Sequence, residues 1–225
     1  MNHIAIAIDG PAAAGKSTVA KIVAKKLGFT YIDTGAMYRA VTLYVLNKGK
    51  DPKNELESCS LINEIDIDLD ASGKVFLNGK DVTLEIRSRE VANNVSYIAS
   101  YKEIRLFLVD QQRALAKASS VVMDGRDIGS YVLPNSEVKI FQIASVETRA
   151  QRRFDENNEK NIHCSYEDIV DEIRKRDYID SHRDFAPLTK AEDAIELDTS
   201  YLTIEEVVDK ILNIIKERLG DKLWH

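Results

Sequence analysis

The stretch Ile4-Ala5-Ile6-Ala7-Ile8-Asp9-Gly10-Pro11-Ala12-Ala13-Ala14-Gly15-Lys16-Ser17-Thr18 decides the fold. Its first five residues are a short apolar run, the mark of a strand buried on both faces. A glycine-bearing loop follows. Residues 17–27 then set Val19, Ile22, Val23 and Leu27 at helical spacing, with Gly28 placed as a C-cap. Between strand and helix, Gly10, Gly15, Lys16 and Ser17 complete the pattern Gly-x4-Gly-Lys-Ser/Thr. Small residues let backbone N–H groups turn inward around phosphate oxygens, and the helix N-terminus adds partial positive charge. Ala12, Ala13 and Ala14 leave little side chain in the way. The whole loop, Gly10 through Pro11 to Thr18, is expected to hold a nucleoside triphosphate. Lys16 is expected on its β- and γ-phosphates and the Ser17 hydroxyl on Mg2+.

Outward from this loop, residues 29–33 read as a second strand. Thr34 is then expected to cap a helix that runs to about residue 48 and ends at Gly49. Residues 65–70 alternate apolar and acidic, the pattern of a half-exposed strand; Ser72-Gly73 marks a turn and Asn78-Gly79 a hairpin after a strand at 74–77. Helical patterning occupies 88–118. Residues 119–124 and 138–143 look like further buried strands. One helix is expected near 166–179, a last strand at 194–198 and an amphipathic helix at 204–219. Strands alternating with helices imply an α/β fold, a three-layer parallel sheet flanked by helices, with a small antiparallel insert.

At 225 residues the chain suits one large domain carrying small insertions. A net charge of −6 argues against nucleic-acid binding through bulk charge, so an anionic ligand needs a local cluster of cations. No apolar run approaches the roughly 20 residues that span a bilayer. The start of the chain has no basic leader, and Cys59 and Cys164 read as free thiols, so a cytoplasmic, soluble protein is expected. The closing helix more readily covers a sheet than builds a dimer, which favours a monomer.

The loop gives binding, not reaction class. A GTPase needs Asn-Lys-x-Asp, and Asn47-Lys48-Gly49-Lys50-Asp51 is one residue too long. The arginines say more. Arg126 follows a buried strand and Arg39 lies one helical turn past Gly35, both at the edge where open α/β sheets bind ligands. Arg149 and Arg153, four apart, share a helix face and are expected to clamp the donor's phosphates and the charge of the transferring group. From Arg149 to Arg183 six arginines and two lysines are interleaved with nine acids, a texture that suits a lid better than a nucleic-acid strip. These cations exceed what one triphosphate needs, so a second phosphorylated ligand and phosphoryl transfer are expected. A kinase for another small acceptor and a nucleotide-binding module without transfer are the rival readings; the second leaves Arg39, Arg126 and Arg183 unexplained.

Four motifs in order carry a resemblance. They are Gly10–Thr18, Asp33-Thr34-Gly35-Ala36-Met37-Tyr38-Arg39, Asp124-Gly125-Arg126-Asp127-Ile128-Gly129 and Arg176-Asp177-x-x-Asp180-x-x-Arg183-x-x-Ala186-Pro187-Leu188. Together they resemble the bacterial cytidylate kinase family, in its longer form, among the P-loop nucleoside monophosphate kinases. The resemblance implies transfer of the γ-phosphoryl of ATP to CMP or dCMP, with Mg2+. It implies Arg39, Arg126 and Arg183 on the acceptor phosphate; Ser96, Arg105 and Asp127 around cytosine; Thr34 near the base, where the family often has serine; and Arg176 and Asp180 on the ribose, with Asp177 as lid scaffolding. It also implies a core at 1–62, 88–154 and 184–225, an acceptor-side insert at 63–87 and a lid at 155–183.

Overall fold

The computed structural model describes residues 3–70, 73–159 and 162–220. Along the chain run β1 (Ala5–Asp9), α1 (Lys16–Leu27), β2 (Thr30–Asp33), α2 (Thr34–Asn47), α3 (Glu55–Cys59), β3 (Ile67–Leu69), β4 (Val75–Leu77) and β5 (Lys80–Asp81). They are followed by α4 (Arg89–Ile98), α5 (Lys102–Ala118), β6 (Val121–Gly125), β7 (Val138–Ile143), α6 (Val146–Glu159), α7 (Tyr166–His182), β8 (Ile195–Asp198) and α8 (Ile204–Leu219).

Five of the strands form one parallel sheet in the order β2-β6-β1-β7-β8. The alternation within β1 explains the layers. Ile6 and Ile8 point to one face, where they pack with Val19 and Val23 of α1 and with Val208, Ile211 and Ile215 of α8. Ala7 points to the other face, against Ile32, Met123 and Val109 of α5. Each such buried aliphatic side chain stabilises the fold by roughly 1.5–3 kcal/mol, enough for two helical layers to hold the sheet between them. A capping box fixes the start of α8: Glu206 N–H donates to the Thr203 hydroxyl, and Thr203 N–H donates to the Glu206 carboxylate. The chain leaves β1 for β2 on one side and later returns to β7 on the other. The loop after β1 therefore opens at the switch point of the sheet, where ligands of such folds bind.

The insert is a three-stranded antiparallel sheet, β3-β4-β5. Asn78 (φ 49°) and Gly79 (φ 77°) both take the left-handed backbone that a two-residue hairpin turn of this hand requires. Val75 and Leu77 pack into a cluster with Met37, Val41 and Val45 of α2. Ser72 of the expected Ser72-Gly73 turn lies outside the described residues.

Three boundaries differ from expectation. Asp33, not Thr34, caps α2: its carboxylate accepts from Ala36 N–H at 2.8 Å, while the Thr34 hydroxyl donates to the Asp124 carbonyl at 2.7 Å. Both residue types cap helices, and a long-range acceptor at Asp124 took the threonine. Helix α7 runs three residues beyond 179, because no glycine or proline stops it before Arg183. The helical span 88–118 is two helices, broken at 99–101.

Candidate active site

The C-terminal ends of the strands define one cavity of about 1160 Å³. It is lined by the phosphate loop from Ala12 to Thr18, by the start of α2, by α4 from Ala92 to Tyr97, by the β6 edge and by α6 and α7. Eleven lysines and arginines and seven acids line it, so its walls are cationic although the chain is anionic.

At the loop, Gly10 has φ 150° and lies hard against β7: a Cβ there would stand 2.0 Å from the Gln142 carbonyl oxygen. Gly15 (φ 82°) is the N-cap of α1, and no side chain caps the first turn, so its N–H groups stay available to an anion. Lys16 is 4% exposed and its ammonium donates to the Pro11 carbonyl at 2.7 Å. Burial and the neighbouring Arg126 lower its pKa, against the pull of Asp124 and Asp9. The Ser17 hydroxyl donates to the Asp124 carboxylate at 2.9 Å, and Tyr31 donates to its other oxygen at 2.9 Å. Burial, helped by Asp33, raises the Asp124 pKa.

The rest of the cavity is an arginine–aspartate network. Arg105, 1% exposed, pairs with Asp127, donates to the Ala99 carbonyl and lies over the Tyr38 ring. Arg183 pairs with the other oxygen of Asp127 at 3.4 Å, and Arg126 donates to Asp180 at 2.8 Å. Ser96 is buried on the wall formed by α4. Two guanidiniums stand apart. Among the described residues, neither Arg39 nor Arg176 has a hydrogen bond or ion pair, and the Arg176 Nε is buried with no partner. Burial and the nearby Arg176 push the pKa of Arg39 down to about 9; burial and Arg126 lower that of Arg176. Two partly buried cations side by side, with Asp33, Asp177 and Asp180 near them but none in an ion pair with either, leave donors open to an anion.

The structure thus brings Gly15, Lys16, Ser17, Thr34, Arg39, Ser96, Arg105, Arg126, Asp127, Arg176, Asp180 and Arg183 to one cavity. It separates the pair Arg149 and Arg153. Arg153 is half-exposed on the cavity rim, paired with Glu156. Arg149 is 4% exposed behind the loop, where Ala12, Ala144 and Asp177 take its donors. Sequence reasoning missed three groups. Asp9 accepts from Ile128 N–H at 2.8 Å and Gly129 N–H at 2.7 Å, which moors the segment after Asp127 to the end of β1. Burial outweighs these bonds and raises the Asp9 pKa to about 7. Asp124 belonged to a quoted motif but was given no role. Thr199, Leu202, Thr203, Ile204 and Val207 form a less polar wall that no motif announced. The available signal was position: Asp9, Asp33 and Asp124 all lie within the last two residues of parallel strands. Asp9→Ala strips two buried N–H groups of their acceptor and is expected to lower Tm by about 5–10 °C. Thermal melting checks this; an unchanged Tm would show that the two bonds contribute nothing.

A phosphate loop between β1 and α1, facing guanidiniums with open donors across a shared cavity, is the arrangement of a P-loop phosphotransferase. Comparison narrows the class. Residues 6–217 match the family described as cytidylate kinase. The chain is 57% identical over 222 residues to a cytidylate kinase of Geobacillus sp. strain WCH70, covering 97% of this chain and 99% of that one. It is 54% identical over 219 residues to a cytidylate kinase of Bacillus licheniformis, covering 96% and 97%. An uncharacterized protein of Eubacterium ventriosum shares the fold, with a TM-score of 0.53 at 16% identity over 96% of this chain and 99% of that one. The chain belongs to the cytidylate kinase family. Among the described residues no helix is long and apolar enough to cross a membrane.

Proposed function

We infer that the protein transfers the γ-phosphoryl of ATP to CMP or dCMP, giving ADP and CDP or dCDP. The observation that carries this reading beyond the family is the pair Arg39 and Arg176, unpaired cations in the same cavity as the phosphate loop. A single triphosphate on the loop leaves them without a partner; an acceptor phosphate supplies one.

In this reading the N–H groups of the loop hold the donor phosphates, and Lys16 exchanges the Pro11 carbonyl for phosphate oxygens. The less polar wall from Thr199 to Val207 receives the donor base. Arg39, Arg126 and Arg183 hold the acceptor phosphate, with Arg176 beside them and towards the ribose. Arg153 reaches the donor from the rim, while Arg149 supports the loop from behind. Asp127 accepts from the cytosine amino group, and Arg105 serves its N3 and O2 with Ser96 alongside. The Thr34 hydroxyl keeps a lone pair for the same edge, and Asp180 accepts from a ribose hydroxyl. An acceptor phosphate oxygen attacks the γ-phosphorus, the bond to the bridging oxygen breaks, and ADP leaves with the electron pair. The acceptor is already anionic near pH 7, so positioning and charge screening supply the catalysis and no general base is needed.

The Ser17 hydroxyl and the Asp124 carboxylate, 2.9 Å apart, are hard oxygen donors that would hold Mg2+. The ion would supply neutralisation of charge on the donor phosphates. The segment 155–183 acts as a lid and 63–87 as the acceptor-side cover of a cytoplasmic monomer.

The separation of the halves is testable. Arg39→Met is expected to raise KM for CMP by about 10- to 100-fold, the worth of one charge-assisted contact, and to leave KM for ATP within about 3-fold. Steady-state kinetics with each substrate varied checks this. An equal rise in both constants would remove Arg39 from the acceptor half.

A further inference from the structure

Ala12 is held from both sides of its backbone by residues outside the loop. Its N–H donates to the Asp177 carboxylate at 3.1 Å. Its carbonyl accepts from the Arg149 guanidinium at 2.8 Å. Arg149 and Asp177 close the ring with an ion pair at 2.7 Å. Arg149 lies on α6 and Asp177 on α7, two helices packed on each other through Ala150, Ile169 and Ile173. The next residue, Ala13, takes φ 57°, a left-handed backbone that costs a non-glycine residue about 1 kcal/mol. The ring therefore grips the loop one residue before its strained turn.

The neighbours of Asp177 give the ring its meaning. Arg176 precedes it, and Asp180 and Arg183 lie within two turns. Arg176 and Asp180 are four apart and share a face, and both line the cavity. Asp177 lies about 100° further round the same helix, toward the loop. Asp177 already rests on Ala12, so a shift of α7 that Arg176, Asp180 and Arg183 made toward an acceptor would be carried to Ala12 through Asp177.

We propose that Asp177 is a positioning residue that couples the two halves of the site: through Ala12 and Arg149 it makes the shape of the donor loop depend on occupation of the acceptor half. This rests on the donor and acceptor assignment above. It assigns Asp177 more than the lid scaffolding that the resemblance implied. It also gives Arg149 its work, shaping the loop from behind.

The test is calorimetric binding of CMP with and without a non-hydrolysable ATP analogue, on wild type, Asp177→Ala, Asp177→Asn and the double variant that combines Asp177→Ala with Arg149→Met. Wild type is expected to bind CMP about 10-fold more tightly when the analogue is bound, an ordinary coupling between sites. Asp177→Ala is expected to reduce that ratio to about 2-fold or less, with the affinity for each ligand alone within about 3-fold of wild type. Asp177→Asn can still accept from Ala12 but loses the pair with Arg149, so its ratio is expected to fall between the two. It also stands in if the alanine variant does not fold. Arg149→Met added to Asp177→Ala should change the ratio no further, since both act through one ring. A merely structural role would lower Tm and both separate affinities together and leave the ratio intact. A wild-type ratio retained in Asp177→Ala or Asp177→Asn, or no coupling in wild type, would overturn the proposal. Failure of wild type to bind CMP at all would instead overturn the acceptor assignment, and this inference with it.

Discussion

Lys16→Ala is expected to lower kcat by about 10²–10³-fold or more, while Tm falls by no more than a few degrees. The two effects have different origins. In the transition state charge spreads over the γ-phosphoryl oxygens, and in the proposed mechanism Lys16, the buried cation of the loop, meets them. Without ligand its ammonium rests on the Pro11 carbonyl, with a pKa lowered by burial and Arg126. A base with a lowered folded-state pKa carries a stability penalty that is full below that pKa and vanishes above the unfolded value. Removing Lys16 therefore lifts a penalty, which offsets lost packing. The same depression predicts that ATP binding draws a proton onto Lys16, because phosphate favours the charged form. Calorimetry at pH 8 in two buffers of different ionisation enthalpy should show proton uptake for wild type and less for Lys16→Ala. Turnover within about 5-fold of wild type would remove Lys16 from the chemistry.

Gly10→Ala is expected to be the most damaging single methyl in the loop. The added Cβ would meet the Gln142 carbonyl oxygen at 2.0 Å and its carbon at 3.0 Å. Both are backbone atoms of β7, which is hydrogen-bonded to β1 and β8 and has no slack. A φ of 150° adds strain for any L side chain. The loop must leave β7, at a cost of about 3–5 kcal/mol and a Tm lower by about 10 °C. Detectable ATP binding should go with it. Gly15→Ala is the control: its Cβ would meet only the Gln142 side chain at 3.8 Å, so it carries the backbone strain of φ 82° without a clash. Equal melting temperatures for the two variants would show that the contact with β7 does not shape the loop.

The fold was legible where periodicity is strong. The span 204–219 emerged as α8, Gly28 as an αL C-cap and Asn78-Gly79 as a left-handed hairpin turn, because spacing and local backbone chemistry decide these features. Part of the cavity was legible too, since motifs at strand ends place Lys16, Arg39 and Arg126 by topology, while Asp127 came from the family resemblance. What stayed hidden depends on partners far away in sequence. Thr34 fits a cap as well as Asp33 does, until the Asp124 carbonyl, 90 residues on, accepts its hydrogen bond. Arg149 and Arg153 look equivalent at helical spacing; only Asp177 and the Ala12 carbonyl show that one faces the back of the loop and the other the rim. Asp9, just past the apolar run 4–8, drew no reading, because the two N–H groups it serves lie 119 and 120 residues away.

The most direct test of the account is the rate of ADP formation from ATP with CMP, dCMP, UMP, AMP, GMP and shikimate as acceptors. If Arg105, Asp127 and Ser96 read a pyrimidine edge as proposed, the wrong base leaves buried polar groups unpaired, which is worth about 10²-fold or more in kcat/KM. The account predicts that CMP and dCMP exceed AMP, GMP and shikimate by at least that margin. A purine nucleotide or shikimate used as well as CMP would contradict it.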